Sequence, residues 1–255
     1  MSVAQVGEDS IYYVQQGEEG LPVVFVHGAG GSHLIWWNQV RALAPIARPI
    51  AMDLPGHGKS SPAGRNSVDA YRDVIAGFLD ALGLDRAVVV GHSMGGAIAQ
   101  AVALAHPDRL AGLVLVGTGA RLRVLPAILD GVLNAFGQTA QIVTDYSFAP
   151  DADASLKRKS EEQFRLCPPQ ITHGDFSACN AFDILPRVGD IRVPTLIICG
   201  RQDQMTPPKY SEFLAAKIPN ARLVLVEGAG HYVMIEQPEE VSRALTEFVT
   251  NLHVS

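Results

Sequence analysis

Cysteine is scarce in this chain: only Cys167, Cys179 and Cys199 occur in 255 residues. They are scattered, odd in number and show no C-x-x-C spacing, so neither a disulfide framework nor a thiolate metal site is indicated. The expectation is inert thiols in a reducing compartment. Positive charge is also thin. The net charge is −6, and the longest basic run is the triplet Lys157-Arg158-Lys159. Such a chain has no electrostatic footprint for nucleic acid, and the triplet reads as one solvated helix face. No apolar run reaches the roughly 20 residues that a membrane-spanning helix needs. The residues Met1-Ser2-Val3-Ala4-Gln5-Val6-Gly7-Glu8-Asp9 are polar and acidic, without the basic and apolar regions of a secretory signal. A cytoplasmic protein without nucleic-acid or membrane partners is expected, its oligomeric state left open.

What the chain does have is apolar residues, 47% of the total. That is enough for the core of one large α/β domain, with room for an insertion. Its most informative stretch is Val88-Val89-Val90-Gly91-His92-Ser93-Met94-Gly95-Gly96-Ala97. A β-branched run stops at a glycine, a serine follows, and Ala97–Leu104 reads as a helix. Strand, sharp turn and helix carry Gly91-x-Ser93-x-Gly95 at the turn. Small residues on either side permit strained backbone at the centre. Ser93 is thereby lifted from the sheet to a helix N-terminus, where backbone N–H groups favour negative charge.

Around this turn, strands and helices alternate. Ser10–Gln15 alternates weakly and suits an edge strand. Pro22–Val26 is a buried strand ending in His27-Gly28-Ala29-Gly30-Gly31-Ser32. Trp36–Ala44 reads as a helix and Arg48–Met52 as a strand. The turn-rich loop Asp53-Leu54-Pro55-Gly56-His57-Gly58-Lys59-Ser60-Ser61-Pro62 follows, in which Asp53 and His57 are expected to fix the loop by hydrogen bonds. Asn66 or Ser67 caps a helix running to about Leu82, and Leu110–Val116 is another strand. The pattern breaks over residues 120–188, where helices are predicted at Val124–Phe136, Gln138–Tyr146, Ala154–Leu166 and Gln170–Ile184. Strands return at Pro194–Gly200 and Arg222–Val226, with helices at Pro208–Lys217 and Pro238–Leu252. The alternation argues for right-handed βαβ units in a mostly parallel sheet flanked by helices. Residues 1–119 and 189–255 form the core domain in this reading, and residues 120–188 a helical insert.

A serine hydroxyl needs a base within hydrogen-bond reach, and the base needs a third group to hold its tautomer. In a parallel sheet, functional loops lie at the carboxyl ends of the strands. Ser93, Asp203 and His231 all follow strands directly. Of the other histidines, His92 should leave the turn in another direction, His106 and His253 lie at helix ends, and His173 lies in the insert. His27, His33 and His57 follow earlier strands and could line a pocket. His231 is therefore the candidate base and Asp203 its orienting acid. An oxyanion site needs backbone donors aimed at the developing charge. Met94, next to the nucleophile, supplies one N–H, and Ala29 or Gly30 in the glycine-rich turn the other. Gly28, Gly30, His92, Leu129 and Leu133 are candidate substrate-binding residues. No metal or cofactor is called for.

Five motifs now stand together: His27-Gly28-Ala29-Gly30-Gly31-Ser32, Asp53-Leu54-Pro55-Gly56-His57-Gly58-Lys59-Ser60, Gly91-His92-Ser93-Met94-Gly95-Gly96, Gly200-Arg201-Gln202-Asp203 and Gly230-His231. From about residue 10 onward the chain resembles the small, capped serine hydrolases of the α/β-hydrolase fold superfamily. The resemblance implies that 120–188 is a cap over Ser93 and that hydrolysis passes through an acyl-enzyme. Relatives that open epoxides or remove halide resemble this chain but carry aspartate at the elbow, where this chain has Ser93. Relatives that cut carbon–carbon bonds often have a proline in the glycine-rich turn, which Gly28-Ala29-Gly30-Gly31 lacks. The expected activity is cleavage of small to medium apolar carboxylic esters. Carbon–carbon or enol-lactone hydrolysis and perhydrolysis are the alternatives with the same three residues. A ligand receptor with this fold is a third reading, to which no feature points.

Overall fold

The computed structural model describes residues 2–252. Its elements, in chain order, are β1 Ser2–Val6, β2 Asp9–Gln15, β3 Pro22–Val26, α1 Trp37–Leu43, β4 Arg48–Met52, α2 Val68–Ala81, β5 Ala87–His92, α3 Met94–Ala105 and β6 Leu110–Val116. Four helices follow: α4 Pro126–Asn134, α5 Phe136–Ser147, α6 Ala154–Phe164 and α7 Pro169–Ala181. The chain then returns to β7 Thr195–Gly200, α8 Pro208–Lys217, β8 Ala221–Val226, α9 Val233–Glu236 and α10 Pro238–Leu252. His253 lies outside the described residues.

The strands form one sheet in the order β1-β2-β4-β3-β5-β6-β7-β8. The β1–β2 and β2–β4 pairs are antiparallel, and every pair from β4 through β3 to β8 is parallel. Continuous apolar strands follow from burial on both faces. Val24, Val26 and Val89 point into one core beneath α2, α3 and α8. Val23, Phe25, Val88 and Val90 point into the other, beneath α1 and α10.

β1 is an addition to the sequence reading. Ala4 is buried and Ser2 and Val6 are partly so, too little apolar surface for a periodic signal. Gly7, with φ +59°, turns the chain tightly into β2. The insert helices lie close to the predicted ranges, but α7 stops at Ala181 because Phe182 turns extended. An isolated antiparallel bridge, Arg121 to Asp183, and the Ile184 N–H on the Ala120 oxygen (2.8 Å) join the two ends of the insert.

The strand order places the site. β4 lies on one side of β3 and β5 on the other. The loops after β3 and β5 therefore leave the sheet toward opposite faces, opening a crevice at the carboxyl ends of the strands.

Candidate active site

Ser93 sits between β5 and α3 with φ 54° and ψ −115°. A non-glycine residue holds such backbone only when its surroundings over-determine it. Here the Ser93 N–H donates to the Val116 oxygen (3.0 Å), and the Ser93 oxygen accepts from Gly96 N, Ala97 N and the Thr118 hydroxyl at 2.9, 3.1 and 2.8 Å. The flanking glycines are required by close approach. A Cβ on Gly91 would lie 2.0 Å from the Gly95 oxygen, and one on Gly95 would lie 2.4 Å from the Val26 oxygen.

Asp203 follows β7 and His231 follows β8. The Asp203 carboxylate accepts four donors: Met205 N (2.9 Å) and Thr206 N (2.8 Å) on one oxygen, the Thr206 hydroxyl (2.8 Å) and His231 Nδ1 (2.9 Å) on the other. A carboxylate can only accept, so Nδ1 carries the proton and Nε2 is the basic nitrogen. Both side chains are buried. Ser93 and His231 line the same cavity, with Gly28, Ala29, Val143, Phe164, Phe176 and Met205 among its other walls.

The loop after β3 is held on every side. His27 donates from Nδ1 to the Gly28 oxygen (2.8 Å) and accepts the Leu54 N–H at Nε2 (3.0 Å). Burial, reinforced by neighbouring His57, lowers its pKa to about 4, so the ring is neutral. Gly31 N–H donates to the Gly28 oxygen (3.1 Å), and Gly30 N–H to the Asp175 carboxylate (2.9 Å). The Gly30 N–H is thus committed to Asp175. Met94 stands at the first position of α3, where a backbone N–H has no intrahelical partner.

A family model describing the α/β hydrolase fold matches residues 22–238. The chain belongs to the α/β-hydrolase family. The 2-hydroxy-6-oxononadienedioate/2-hydroxy-6-oxononatrienedioate hydrolase 2 of Pseudomonas putida is 31% identical, over 94% of this chain and 91% of its own. Among solved structures, a thermophilic esterase shares 36% identity at a TM-score of 0.87, with 98% of this chain and 97% of that one covered. The enol-lactonase from Burkholderia xenovorans LB400 shares 27% identity at a TM-score of 0.91, covering 98% of this chain and all (100%) of that one.

In this α/β hydrolase the remaining expected site residues are distributed as follows. His92 is buried and donates from Nε2 to the His231 oxygen (3.0 Å), with its ring 4.6 Å from that of His231. Burial, then the nearby His231, hold its pKa well below the usual histidine value. It supports the His231 loop from beneath while also bordering the cavity. Gly28 lines the cavity, and Gly30 lines an adjoining groove. Leu129 and Leu133, expected at the substrate, are not among the residues lining the cavity or the groove. Leu129 packs within the cluster of Val132, Val143, Phe164 and Phe176, and Leu133 is 48% exposed. Periodicity identified an apolar stripe on α4, but the residue of α4 that is buried against its neighbours is Val132, while Leu133 on the stripe is exposed.

Asp53 and His57 both act through hydrogen bonds. Asp53 accepts His33 N and Nδ1 (both 2.8 Å) and Lys59 N (3.0 Å), joining the loops after β3 and β4. Burial opposes its charge, but His33 outweighs burial and holds the carboxyl below its usual range. His57 donates from Nδ1 to the Pro55 oxygen (3.0 Å) and reaches across to Asp175 (2.8 Å). Sequence reasoning missed Thr206, Glu236 and Asp175. Thr206 had a local signal, since a threonine three residues after an aspartate can close a side-chain turn. Glu236 and Asp175 had none, because their partners belong to other elements.

Among the described residues, no helix is long and apolar enough to cross a membrane. No group of three or more His, Cys, Asp or Glu is set to hold a metal ion. Cys167, Cys179 and Cys199 are buried and free, and burial pushes the Cys199 thiol up to about 12.

Proposed function

We propose that this α/β hydrolase cleaves small, uncharged carboxylic esters through an acyl-enzyme on Ser93. The observation that carries the reading is the make-up of the Ser93 cavity. Ser93 and His231 line it, His231 Nδ1 is hydrogen-bonded to the Asp203 carboxylate behind it, and its walls include no lysine or arginine, which supports this reading. A dioate such as the one in the name of the Pseudomonas relative carries two carboxylates, whereas the cavity and its adjoining groove are together lined by a single cationic side chain, Lys159 of the groove. Burying unpaired charge is costly, so a neutral ester fits better. The cavity at Ser93 is only about 30 Å³, and a groove of about 220 Å³ adjoins it past Phe164 and Tyr232. A short acyl group at Ser93 with the alcohol portion in the groove suits both volumes.

The steps follow from the positions. Ser93 Oγ attacks the ester carbonyl carbon as His231 Nε2 takes its proton, and Asp203 stabilises the resulting imidazolium. The tetrahedral oxyanion is held by the N–H groups of Ala29 and Met94. Collapse expels the alcohol, protonated by His231. Water, deprotonated by the same nitrogen, then attacks the acyl-enzyme and releases the acid. The reaction requires no cofactor. On this reading the protein works on a small-molecule substrate in the cytoplasm.

The test is a panel of p-nitrophenyl esters, lactones and vinylogous diketone acids, run with the wild type and with Ser93→Ala. Hydrolysis of short neutral esters, lost in Ser93→Ala, is the expected result. Turnover of the diketone acids in preference to every ester would replace the reading with carbon–carbon bond hydrolysis.

A further inference from the structure

Asp175 lies on insert helix α7, fully buried, yet none of the steps above uses it. Its carboxylate accepts three donors from three other parts of the chain. Gly30 N–H of the loop after β3 lies at 2.9 Å, His57 Nε2 of the loop after β4 at 2.8 Å, and the Tyr71 hydroxyl of α2 at 2.7 Å. The Tyr71 oxygen at the same time accepts the Arg65 N–H (3.1 Å), which fixes the hydroxyl's orientation. His57 bonds to a carbonyl through one ring nitrogen and to this carboxylate through the other, and both oxygens are acceptors. The ring therefore donates twice, as an imidazolium paired with an ionised Asp175.

A buried ion pair is a poor source of stability, and an apolar contact of the same size would serve the fold as well. What the charge supplies is a strong, directional acceptor for one particular N–H. That N–H belongs to Gly30, one peptide beyond the Ala29 donor. The same turn packs against the insert at a second point. Gly30 has φ +63°, and a Cβ there would lie 2.5 Å from the Phe164 ring. Because His57 balances the carboxylate, the pair adds no net negative charge beside the developing oxyanion.

We propose that Asp175 is a positioning residue: by holding the Gly30 N–H it orients the Ala29 peptide, so the oxyanion site is complete only when α7 is seated on the core. Substrate selection by the insert and stabilisation of the transition state by the core are thereby joined through one carboxylate. This inference rests on the serine-ester reading above.

The test compares the wild type, Asp175→Ala and Val74→Ala. The last variant removes buried volume from α2 at a residue that lines neither the cavity nor the groove. For each, kcat and KM on p-nitrophenyl acetate, Tm, and inhibition by phenylboronic acid are measured, since the boronate adduct on Ser93 places an oxygen where the oxyanion forms. Losing an oxyanion donor outright costs about 10²–10³ in kcat. Misplacing one should cost Asp175→Ala about 10- to 100-fold in kcat with KM within about threefold, and weaken boronate binding in parallel. Val74→Ala should lower Tm with kcat within about threefold. If Asp175→Ala does not fold, Asp175→Asn, which keeps the volume but not the charge, is measured the same way, with a smaller fall of the same kind expected. The inference is overturned if the folded Asp175 variant keeps kcat within threefold, or loses kcat without loss of boronate affinity. Labelling of wild-type Ser93 by a fluorophosphonate separates the two readings. Absence of labelling sinks the serine-ester reading, whereas labelling with an unimpaired Asp175 variant sinks this inference alone.

Discussion

Glu236 accepts the Gly230 N–H at 2.8 Å through one carboxylate oxygen, and the Ala149 N–H at 2.8 Å through the other. Gly230 immediately precedes His231, and Ala149 lies just after α5 of the insert. The Tyr232 N–H adds a parallel tie to the Ser147 oxygen (3.0 Å). The His231 loop is thus held to the insert on both sides of the histidine. Burial raises the Glu236 pKa, partly offset by these two N–H donors. Glu236→Ala leaves two N–H groups without their acceptor, an expected loss of about 1–3 kcal/mol by chemical denaturation. Because His231 would be less well placed, kcat should fall more than KM rises. A variant with unchanged stability and unchanged kcat would show that the tie holds nothing in place.

Ser93 tests strain and chemistry separately. Ser93→Ala should abolish ester turnover, since loss of a triad serine costs on the order of 10⁶ in kcat in a well-studied serine protease. Retention of more than about a tenth of the activity would remove Ser93 from the mechanism. Ser93→Gly should be equally inactive but should melt above Ser93→Ala. Glycine relieves the positive-φ backbone, worth about 1–3 kcal/mol, against a smaller entropic cost of roughly 0.4–1 kcal/mol. Equal or reversed melting temperatures would mean that the turn is not strained.

The insert should control chain length through Phe164 rather than through α4. Phe164 borders both the Ser93 cavity and the adjoining groove. Phe164→Ala should shift preference toward longer acyl chains by about 1–3 kcal/mol per added methylene at most, seen in kcat/KM across acetate to octanoate esters. A lower Tm is expected as well, because the ring is buried among Phe136 and Phe176. Leu133→Trp, at an exposed position, should leave the profile unaltered. The opposite pattern would restore α4 to the pocket wall.

Two buried neutral histidines set an acid limit. The pKa of His27 is lowered to about 4 and that of His92 well below its usual value, in both cases by burial first. An unfolded histidine titrates near roughly pH 6.5. Below that pH the unfolded chain binds protons at these rings that the native chain refuses. Their contribution to stability is therefore present above about pH 6.5 and is lost on acidification, at up to about 1.4 kcal/mol per pH unit per ring. His57 has the opposite sign. Burial lowers its pKa, but the charge and hydrogen bond of Asp175 outweigh burial and raise it well above the usual value. Its contribution is complete below about pH 6.5 and declines as pH rises through the raised value. Ring resonances of all eight histidines followed by NMR from pH 7.5 to 5 provide the check. His27 and His92 should not shift, and His57 should already be protonated at the start. Titration of His27 near pH 6.5 would overturn the assignment.

Local chemistry carried much of this structure. Gly91-x-Ser93-x-Gly95 after a valine run demanded a tight strand-to-helix turn, because only small residues permit the backbone approach seen there. Placing Asp203 and His231 at strand ends needed only the alternation of strands and helices, since a parallel sheet gathers those ends on one edge. Asp53 was legible as a loop staple because its partners His33 and Lys59 lie in the two neighbouring loops.

Only the tertiary structure decided the rest, and the reason is the same in each case. β1 gains its place by pairing with β2, not by apolar content of its own. The Gly30 N–H is taken up by Asp175, 145 residues away in the chain, which the glycine-rich turn by itself does not reveal. An apolar stripe on α4 was visible, but which of its residues is covered, Val132 rather than Leu133, depends on how α5 and α7 pack against it. Residue type and spacing determine what a short segment can do with its own atoms. A buried carboxylate that draws one donor from each of three distant segments leaves no periodic trace, because its energy is defined only once those segments meet.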